Sequence, residues 1–470
     1  MRTGSHRSPS PEHPDSAGKN KRNHFLDASG QNPREFHKKR RNLNLAFETE
    51  TSPLAPLTNP PSLRISNRFQ QIQSSCSRKR HAKDHHSRRS SSSKCKRKWV
   101  FSSNDACAYK DKLVVVSYNI LGVENASKHQ DLYYRVPPKY LEWNRRKKLI
   151  CEELAHYNAG ILCFQEVDRF SDLNVLLRKD GFRGVYKART GEACDGCAIF
   201  WKENLFTLLH EETIEFQRFG LRNNVAQLCV LQMSESQLGL ELHNQELKPT
   251  SNHSRSLVIG NIHVLFNPNR GDIKLGQVQL FLKNAYKLSQ QWGNIPVIIG
   301  GDLNSLPQSA VYQFLASSEL DILQYDRRNI SGKLNYSLHS KDKNFSSDYN
   351  STSGMLLHRW SNEEIRLASG SEGITQLQHQ LKLSSAYLGV PGSHRSRDSC
   401  GEPLATSYHS KFLGTVDYIW HTRELVPVRV LETLPVDVLR RSVGLPSEIW
   451  GSDHLALACE LAFIDDGNQK

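Results

Sequence analysis

From about residue 111 onward, short apolar runs alternate with polar turns, the pattern expected of buried strands in a layered α/β protein. The runs are Leu113-Val114-Val115-Val116, Ile161-Leu162-Cys163-Phe164, Cys197-Ala198-Ile199-Phe200-Trp201, Ala226 to Met233, Leu257 to His263, Val297-Ile298-Ile299, Val416 to Trp420 and Leu455 to Phe463. Helical spacing marks two stretches between them. Leu141 to Tyr157 is one. Asp272 to Trp292 is the other: Leu275, Val278, Leu282 and Ala285 share a face there, and Asp272, following a glycine, reads as the N-cap. Residues 234–255 and 325–380 break the pattern. Both are polar and weakly periodic, and both read as surface insertions in one domain, because strands of related chemistry lie on either side of each.

Residues 1–99 have a different texture. They are rich in Ser, Pro, Asn and His, show no sustained period, and hold too few apolar side chains to offset the entropy of ordering. They read as a disordered arm, which leaves residues 100–465 as the folded domain. Charge sharpens the boundary: the arm has 22 Lys and Arg against 7 Asp and Glu, whereas the remainder has 40 against 41. The clusters Lys38-Lys39-Arg40-Arg41, Arg78-Lys79-Arg80 and Lys94-Cys95-Lys96-Arg97-Lys98 suit nucleic-acid binding, a nuclear import address or a solubilising tail. No apolar stretch follows Met1-Arg2-Thr3-Gly4-Ser5-His6 as in a secretory signal, and no later apolar run is long enough to span a bilayer. A soluble intracellular protein is the expectation. The ten cysteines are scattered, as buried free thiols are, and Cys194 and Cys197 read as structural because their C-x-x-C has no second pair at a zinc-like spacing.

The candidate chemistry sits at the ends of the predicted strands. Asn119 closes the first and Glu166 the second; His263 ends Ile259-Gly260-Asn261-Ile262-His263. Asp302 and Asn304 follow Val297-Ile298-Ile299-Gly300-Gly301, Asp417 lies in Gly414-Thr415-Val416-Asp417-Tyr418, and Asp453-His454 precedes Leu455-Ala456-Leu457. A carboxylate beside an apolar strand is costly unless it binds a cation or pairs with a neighbour. Singly, a lone Asp after Gly-Gly reads as a turn residue, a lone His at a strand end as hydrogen-bonded structure and Asp453 as a cap. Together, acids, amides and imidazoles at successive strand ends are what a hard cation and a phosphoryl group need.

Ser117-Tyr118-Asn119-Ile120-Leu121, Gln165-Glu166-Val167-Asp168, Asp195-Gly196-Cys197-Ala198-Ile199-Phe200, Asn261-Ile262-His263, Gly301-Asp302-Leu303-Asn304-Ser305, Val416-Asp417-Tyr418-Ile419 and Ser452-Asp453-His454-Leu455 resemble the successive signatures of the endonuclease/exonuclease/phosphatase superfamily. More closely they resemble the nuclease domain of the carbon catabolite repressor deadenylases, in particular the plant homologues and the Angel branch. The stretch from His263 to Leu275 is most similar to the Angel proteins. The likeness spans roughly residues 111–463 apart from the insertions.

The resemblance implies a DNase I-like, four-layer α/β sandwich of two mixed β-sheets flanked by helices, with a cleft at the strand ends. It also implies Mg²⁺, with Mn²⁺ as a substitute, held principally by Glu166 with Asn119 and Asp453 in support. Asp417 would fix the tautomer of His454, and His263 would contact the scissile phosphate. Asp302 would orient or deprotonate the attacking water, and Asn304 would hold the phosphate or base. The identity of the base stays open between Asp302 and the Asp417–His454 pair. Pro268 and Phe412 match positions that sandwich an adenine in the deadenylases, although Thr406-Ser407-Tyr408 stands where those relatives often have Thr-Asn-Tyr. The implied activity is 3′-to-5′ removal of poly(A) from mRNA with release of AMP, in nucleus and cytoplasm. A phosphatase for RNA 2′,3′-cyclic ends on the same scaffold is the first alternative, and an inert RNA-binding module the second. Deadenylase-complex subunits are family-level partners, but the leucine-rich repeat block through which such enzymes join the complex has no counterpart in residues 1–99.

Overall fold

The computed structural model describes residues 97–103, 109, 111–234, 255–333 and 360–464. In chain order the strands are β1 (Trp99–Phe101), β2 (Lys112–Asn119), β3 (Ile161–Gln165), β4 (Phe182–Ala188), β5 (Gly196–Lys202), β6 (Phe206–Glu215), β7 (Val225–Met233), β8 (Ser256–His263) and β9 (Val297–Asp302). They continue as β10 (Glu319–Asp321), β11 (Gln376–Gln378), β12 (Leu383–Ser385), β13 (Ser407–His409), β14 (Phe412–Gly414), β15 (Asp417–Thr422), β16 (Leu425–Leu431) and β17 (Leu457–Phe463). Two large sheets result. One runs β1-β16-β17-β2-β3-β5-β4, the other β12-β15-β9-β8-β7-β6.

Each large sheet contains a single parallel pair among otherwise antiparallel neighbours: β2 with β3 in the first, β8 with β9 in the second. A parallel pair needs a long crossover, usually a helix. The chain meets that need with helix Trp143–Ala155 between β2 and β3 and helix Gly271–Gln291 between β8 and β9. These are the two helices read from the sequence. The pairs are also level at their carboxyl ends, with Asn119 opposite Gln165 and His263 opposite Asp302.

The strands are continuously apolar because both of their faces are buried. Val115, Cys163, Ile259, Ile298, Ile419 and Cys459 point into the layer between the sheets. Their neighbours Val116, Leu162 and Phe164 face outward onto Ile150, Leu154, Leu173 and Leu177 of the flanking helices. Val258, Ile262 and Ile299 likewise face Leu275, Val278, Leu282 and Ala285 on the other side. Helix, sheet, sheet and helix make the four layers. A buried polar bond also ties the sheets: Gln165 Nε2 donates to Asn261 Oδ1 at 2.8 Å, and Asn261 Nδ2 donates to the carbonyls of Phe164 and Ala198.

Several expectations are corrected. Asp272 does not cap its helix; Arg270 occupies the N-cap position and grips the Asp272 carboxylate, with Nη2 to Oδ2 at 2.6 Å. Residues 325–380 are not one insertion. Trp360 is buried and donates to the Tyr325 carbonyl, and helix Asn362–Ser369 starts at a Ser361/Glu364 capping box. That helix lies so close to Gly276 that a Cβ there would stand 2.1 Å from the Leu367 carbonyl oxygen. Residues 334–359, like 235–254, lie outside the described residues. Edge strand β6 alternates less and more exposed positions, and its polar run His210-Glu211-Glu212-Thr213 hides it from an apolar-run reading.

The boundary expected at residue 100 falls inside β1. Arg97, grouped by sequence with a basic cluster of the arm, has a buried side chain whose Nη1 lies 3.3 Å from Glu153 Oε1. Glu153 also accepts from Tyr118 at 3.1 Å and Tyr157 at 2.5 Å. The rest of the arm, with its two upstream clusters, lies outside the described residues. Removing one partner of a buried ion pair leaves the other charge stranded. Arg97→Ala should therefore cost about 3 kcal/mol of unfolding free energy in a urea titration, and an unchanged midpoint would place Arg97 outside the fold's energetics.

Candidate active site

Two turns of the same design face each other where the sheets meet. At the end of β2, Asn119 Oδ1 accepts from the Leu121 amide at 3.0 Å, and Leu121 has φ +57°. At the end of β9, Asp302 Oδ1 accepts from the Asn304 amide at 2.8 Å, and Asn304 has φ +46°. The left-handed backbone, unfavourable for both residues, is held by these short side-chain bonds. Glu166, just past β3, has φ +56°, and its Oε2 accepts from the Gly122 amide and from Asn125 Nδ2. Three residues with positive φ thus border one cleft, a concentration of strain characteristic of functional sites.

The Asn119 amide group joins the two sheets' carboxylates. Its Nδ2 donates to Glu166 Oε1 at 3.0 Å and to Asp302 Oδ2 at 3.1 Å. Asp417, opposite Asp302 in the β9–β15 ladder, has Oδ2 2.8 Å from His454 Nδ1, and His454 Nε2 lies 4.0 Å from Asp302 Oδ2. His263 Nε2 stands 3.6 Å from Asp302 Oδ2 and 3.1 Å from Asn304 Nδ2. Asp453 accepts from the Tyr133 hydroxyl at 2.8 Å. Every chemistry-bearing residue predicted from sequence therefore reaches this cleft: Asn119, Glu166, His263, Asp302, Asn304, Asp417, Asp453 and His454. Six of them line its inner pocket of ≈ 170 Å³, the exceptions being Asn119 and Asp417, which stand behind their partners.

Pro268 and Phe412 are brought together on an adjoining trough of ≈ 930 Å³, which shares Phe266, Lys333 and His409 with the inner pocket. Ser407 lines the inner pocket on a segment tied by the Tyr408 amide to the Asp453 carbonyl and by Thr406 Oγ1 to the Val416 and Asp417 amides. Cys197 is buried with its thiol pKa raised by burial, whereas Cys194 is exposed.

Burial would raise the pKa of Glu166 and Asp302, but the His263 and His454 imidazoles and their hydrogen-bond donors bring both below the usual carboxylate range. Asp453 is pushed up to about 6, chiefly by burial. Burial alone would lower His454; the Asp417 and Asp453 carboxylates and the hydrogen bond to Asp417 instead carry it up to about 10. Burial raises the Asp417 carboxyl as well, so both partners of the 2.8 Å pair favour their protonated forms and the pair holds a proton.

Sequence reading missed the supports. Arg146 is fully buried and donates to the carbonyls of Ile120, Leu121, Leu141 and Gly451, fixing the turns that carry Asn119 and Asp453. Lys274, also buried, donates to the Leu265 and Asn304 carbonyls. Both lie on helices among other polar residues, and only their burial marks them. Tyr133, His409 and Lys333 come from loop or short segments with no periodic signal.

The donor set fits a hard divalent cation. Among the described residues no Lys or Arg forms an ion pair with Glu166, Asp302 or Asp453, and Glu166, Asn119 and Asp453 offer oxygen ligands. Asp302, Asp417 and His454 also present atoms within 4.8 Å of one another. The Asp417–His454 hydrogen bond makes that trio a proton-carrying pair facing a carboxylate.

The model of the endonuclease/exonuclease/phosphatase family matches residues 116–454. The chain belongs to this family. Carbon catabolite repressor protein 4 homolog 5 of Arabidopsis thaliana is 65% identical over 380 residues, spanning 80% of this chain and 82% of that protein. Protein angel homolog 2 of Danio rerio is 30% identical over 400 residues, spanning 77% of this chain and 64% of that protein. The solved structure of ANGEL2, a 2′,3′-cyclic phosphatase, in complex with adenosine-2′,3′-vanadate matches with a TM-score of 0.62 at 28% identity, covering 78% of this chain and 99% of the other. These relatives are the carbon catabolite repressor and Angel branch that the motifs resemble. The protein is thus an enzyme of the exonuclease/phosphatase superfamily, whose members typically depend on a divalent metal.

Two measurements test the site's electrostatics. Mg²⁺ at about one hundred times its Kd should stabilise the wild type by about 2.7 kcal/mol in thermal unfolding, and Glu166→Ala should lose most of this; equal stabilisation of both would remove Glu166 from the metal site. The His454 cation, raised above its unfolded value near 6.5, contributes stability present below that value and lost as pH rises through about 10. The wild type should accordingly lose stability between these limits more steeply than Asp417→Asn, as read by urea unfolding at stepped pH.

Proposed function

We propose that this enzyme is a Mg²⁺-dependent 3′-to-5′ exoribonuclease that shortens poly(A) and releases AMP. The observation that carries the reading is the trough holding Pro268 and Phe412 beside the inner pocket, a stacking surface for the terminal base next to a phosphate-cleaving constellation. Its kinship with Arabidopsis carbon catabolite repressor protein 4 homolog 5 points the same way.

Hydrolysis of the last phosphodiester needs a positioned water, neutralised non-bridging oxygens and a stabilised leaving oxygen. Asp302 is ionised, and its Oδ2 is aimed by Asn119, so it takes the proton of the attacking water. In this reading His454, held by Asp417 through Nδ1, presents Nε2 toward the phosphate and supplies a proton to the departing 3′ oxygen. His263 and Asn304, paired at 3.1 Å, hold the phosphate on the other side. Mg²⁺ on Glu166, with Asn119 and Asp453 in support, would supply charge neutralisation. The P–O3′ bond breaks, the upstream RNA keeps a 3′ hydroxyl, and AMP leaves.

The kinship with ANGEL2 favours a second reading, hydrolysis of RNA 2′,3′-cyclic phosphate ends. Purified protein with Mg²⁺ should release AMP from oligo(A); release of inorganic phosphate from a cyclic-phosphate end with oligo(A) left intact would decide for the second reading. Under either, Glu166→Ala or Asp302→Ala should lower turnover at least about 10²-fold, the order of a lost ligand or general base, and full activity of Asp302→Ala would assign the base elsewhere.

A further inference from the structure

Lys333 belongs to no motif, yet it lines both the inner pocket and the trough. Its Nζ donates to Asn304 Oδ1 at 3.0 Å. The same ammonium lies 4.7 Å from the centroid of the Phe412 ring and 5.3 Å from that of Phe266. It therefore occupies the aromatic face that a base would use, one side chain away from His263, since Asn304 Nδ2 contacts His263 Nε2.

The charges around it are unbalanced. The other Lys or Arg lining the inner pocket is Arg189, whose guanidinium is engaged by Asp195 at 3.4 Å and Asn223 at 2.7 Å. Lys274 spends its ammonium on two backbone carbonyls. Lys333 has no carboxylate within ion-pair distance among the described residues. Burial brings its ammonium down to about 8, with Asp302 and Asp417 acting against that fall from further away. A half-buried cation held by one amide oxygen and two ring faces is under-compensated, and an anion arriving beside Asn304 would supply what it lacks.

We infer that Lys333 is a phosphate-binding residue for the 3′-terminal nucleotide, and that its ammonium leaves the face of Phe412 for the phosphate when a base takes that face. This rests on the trough holding the terminal nucleotide, as proposed above. A phosphate rather than a base edge is the partner because the ammonium is a point donor beside the two residues, His263 and Asn304, set around the scissile group. The exchange couples base and phosphate: a base alone displaces the cation without replacing its partner, whereas a nucleotide does both.

Calorimetric titration of the full chain in Mg²⁺ with AMP and with adenosine separates these contributions. The wild type should bind AMP more tightly than adenosine. Lys333→Met keeps the apolar stem without the charge and should reduce the AMP-to-adenosine affinity ratio roughly ten- to hundredfold, the worth of one charge-assisted hydrogen bond. Its adenosine affinity should be unchanged or higher, because nothing competes for Phe412. Lys333→Arg should retain most of the ratio. On oligo(A), Lys333→Met should raise KM with kcat largely kept, and its log–log salt slope should fall by about 0.7, the value for one single-strand phosphate contact. An unchanged ratio in Lys333→Met, an equal loss for both ligands, or no preference for AMP in the wild type would each overturn the inference. If the wild type binds AMP but leaves oligo(A) intact, the exoribonuclease reading fails while the affinity ratio still decides the role of Lys333.

Discussion

One side-chain amide holds the site together. Asn119 Nδ2 reaches Glu166 on its own sheet and Asp302 on the other, and its Oδ1 closes the turn that follows β2. Two carboxylates a few ångströms apart repel unless something positive lies between them. The amide supplies two N–H groups at that point, and His263 Nε2 and His454 Nε2 lie 3.6 and 4.0 Å from Asp302 Oδ2. Glu166 and Asp302 can therefore stay ionised in a buried cleft, the state a metal ligand and a water-orienting base both require. An aspartate at position 119 would keep the shape and add a third repelling charge.

The fold delivers Asn119 to that point through connectivity. A parallel pair places two strand ends, and the turns leaving them, at the same edge of a sheet, where ligands of open α/β sheets bind. This molecule uses the device twice, and packing the sheets face to face brings both edges into one cleft. The antiparallel neighbours complete it from the opposite chain direction: Asp417 starts β15, and Asp453-His454 precedes β17. Arg146 then fixes the turns around it, with four backbone carbonyls as acceptors. A buried arginine paired with carbonyls rather than a carboxylate keeps its positive charge, which helps hold nearby Asp453 against further rise.

The strands and the polar side chains that gather in the cleft were legible because burial on both faces writes an unbroken apolar run, and a carboxylate or amide at the end of such a run is conspicuous. Helices Trp143–Ala155 and Gly271–Gln291 were legible for the same reason, through one apolar face each. What escaped is polar and structural at once. Arg97, Arg146 and Lys274 are buried by partners distant in sequence, so a basic residue in a basic or helical context carries no local sign of it. Residues 360–380 read as insertion because their apolar anchors, Trp360, Ile365, Ala368 and Leu377, are spread through polar sequence. Asp272 failed as a cap because Arg270, two residues earlier, claims its carboxylate.

Reactivity and substrate choice are built on different parts of the molecule. Asn119, His263, Asp302 and Asp417 are terminal residues of strands whose register is fixed by core packing, so a shift in any of them would disrupt a ladder. Phe266, Pro268 and Lys333 lie on loops and Phe412 in a short two-strand ribbon, where replacement disturbs little else. A similar scaffold carries 2′,3′-cyclic phosphatase activity in ANGEL2. The proposed function places substrate choice in the trough. There the ammonium of Lys333, seated between two rings and an amide, is the feature that makes a bare base and a nucleotide energetically different occupants.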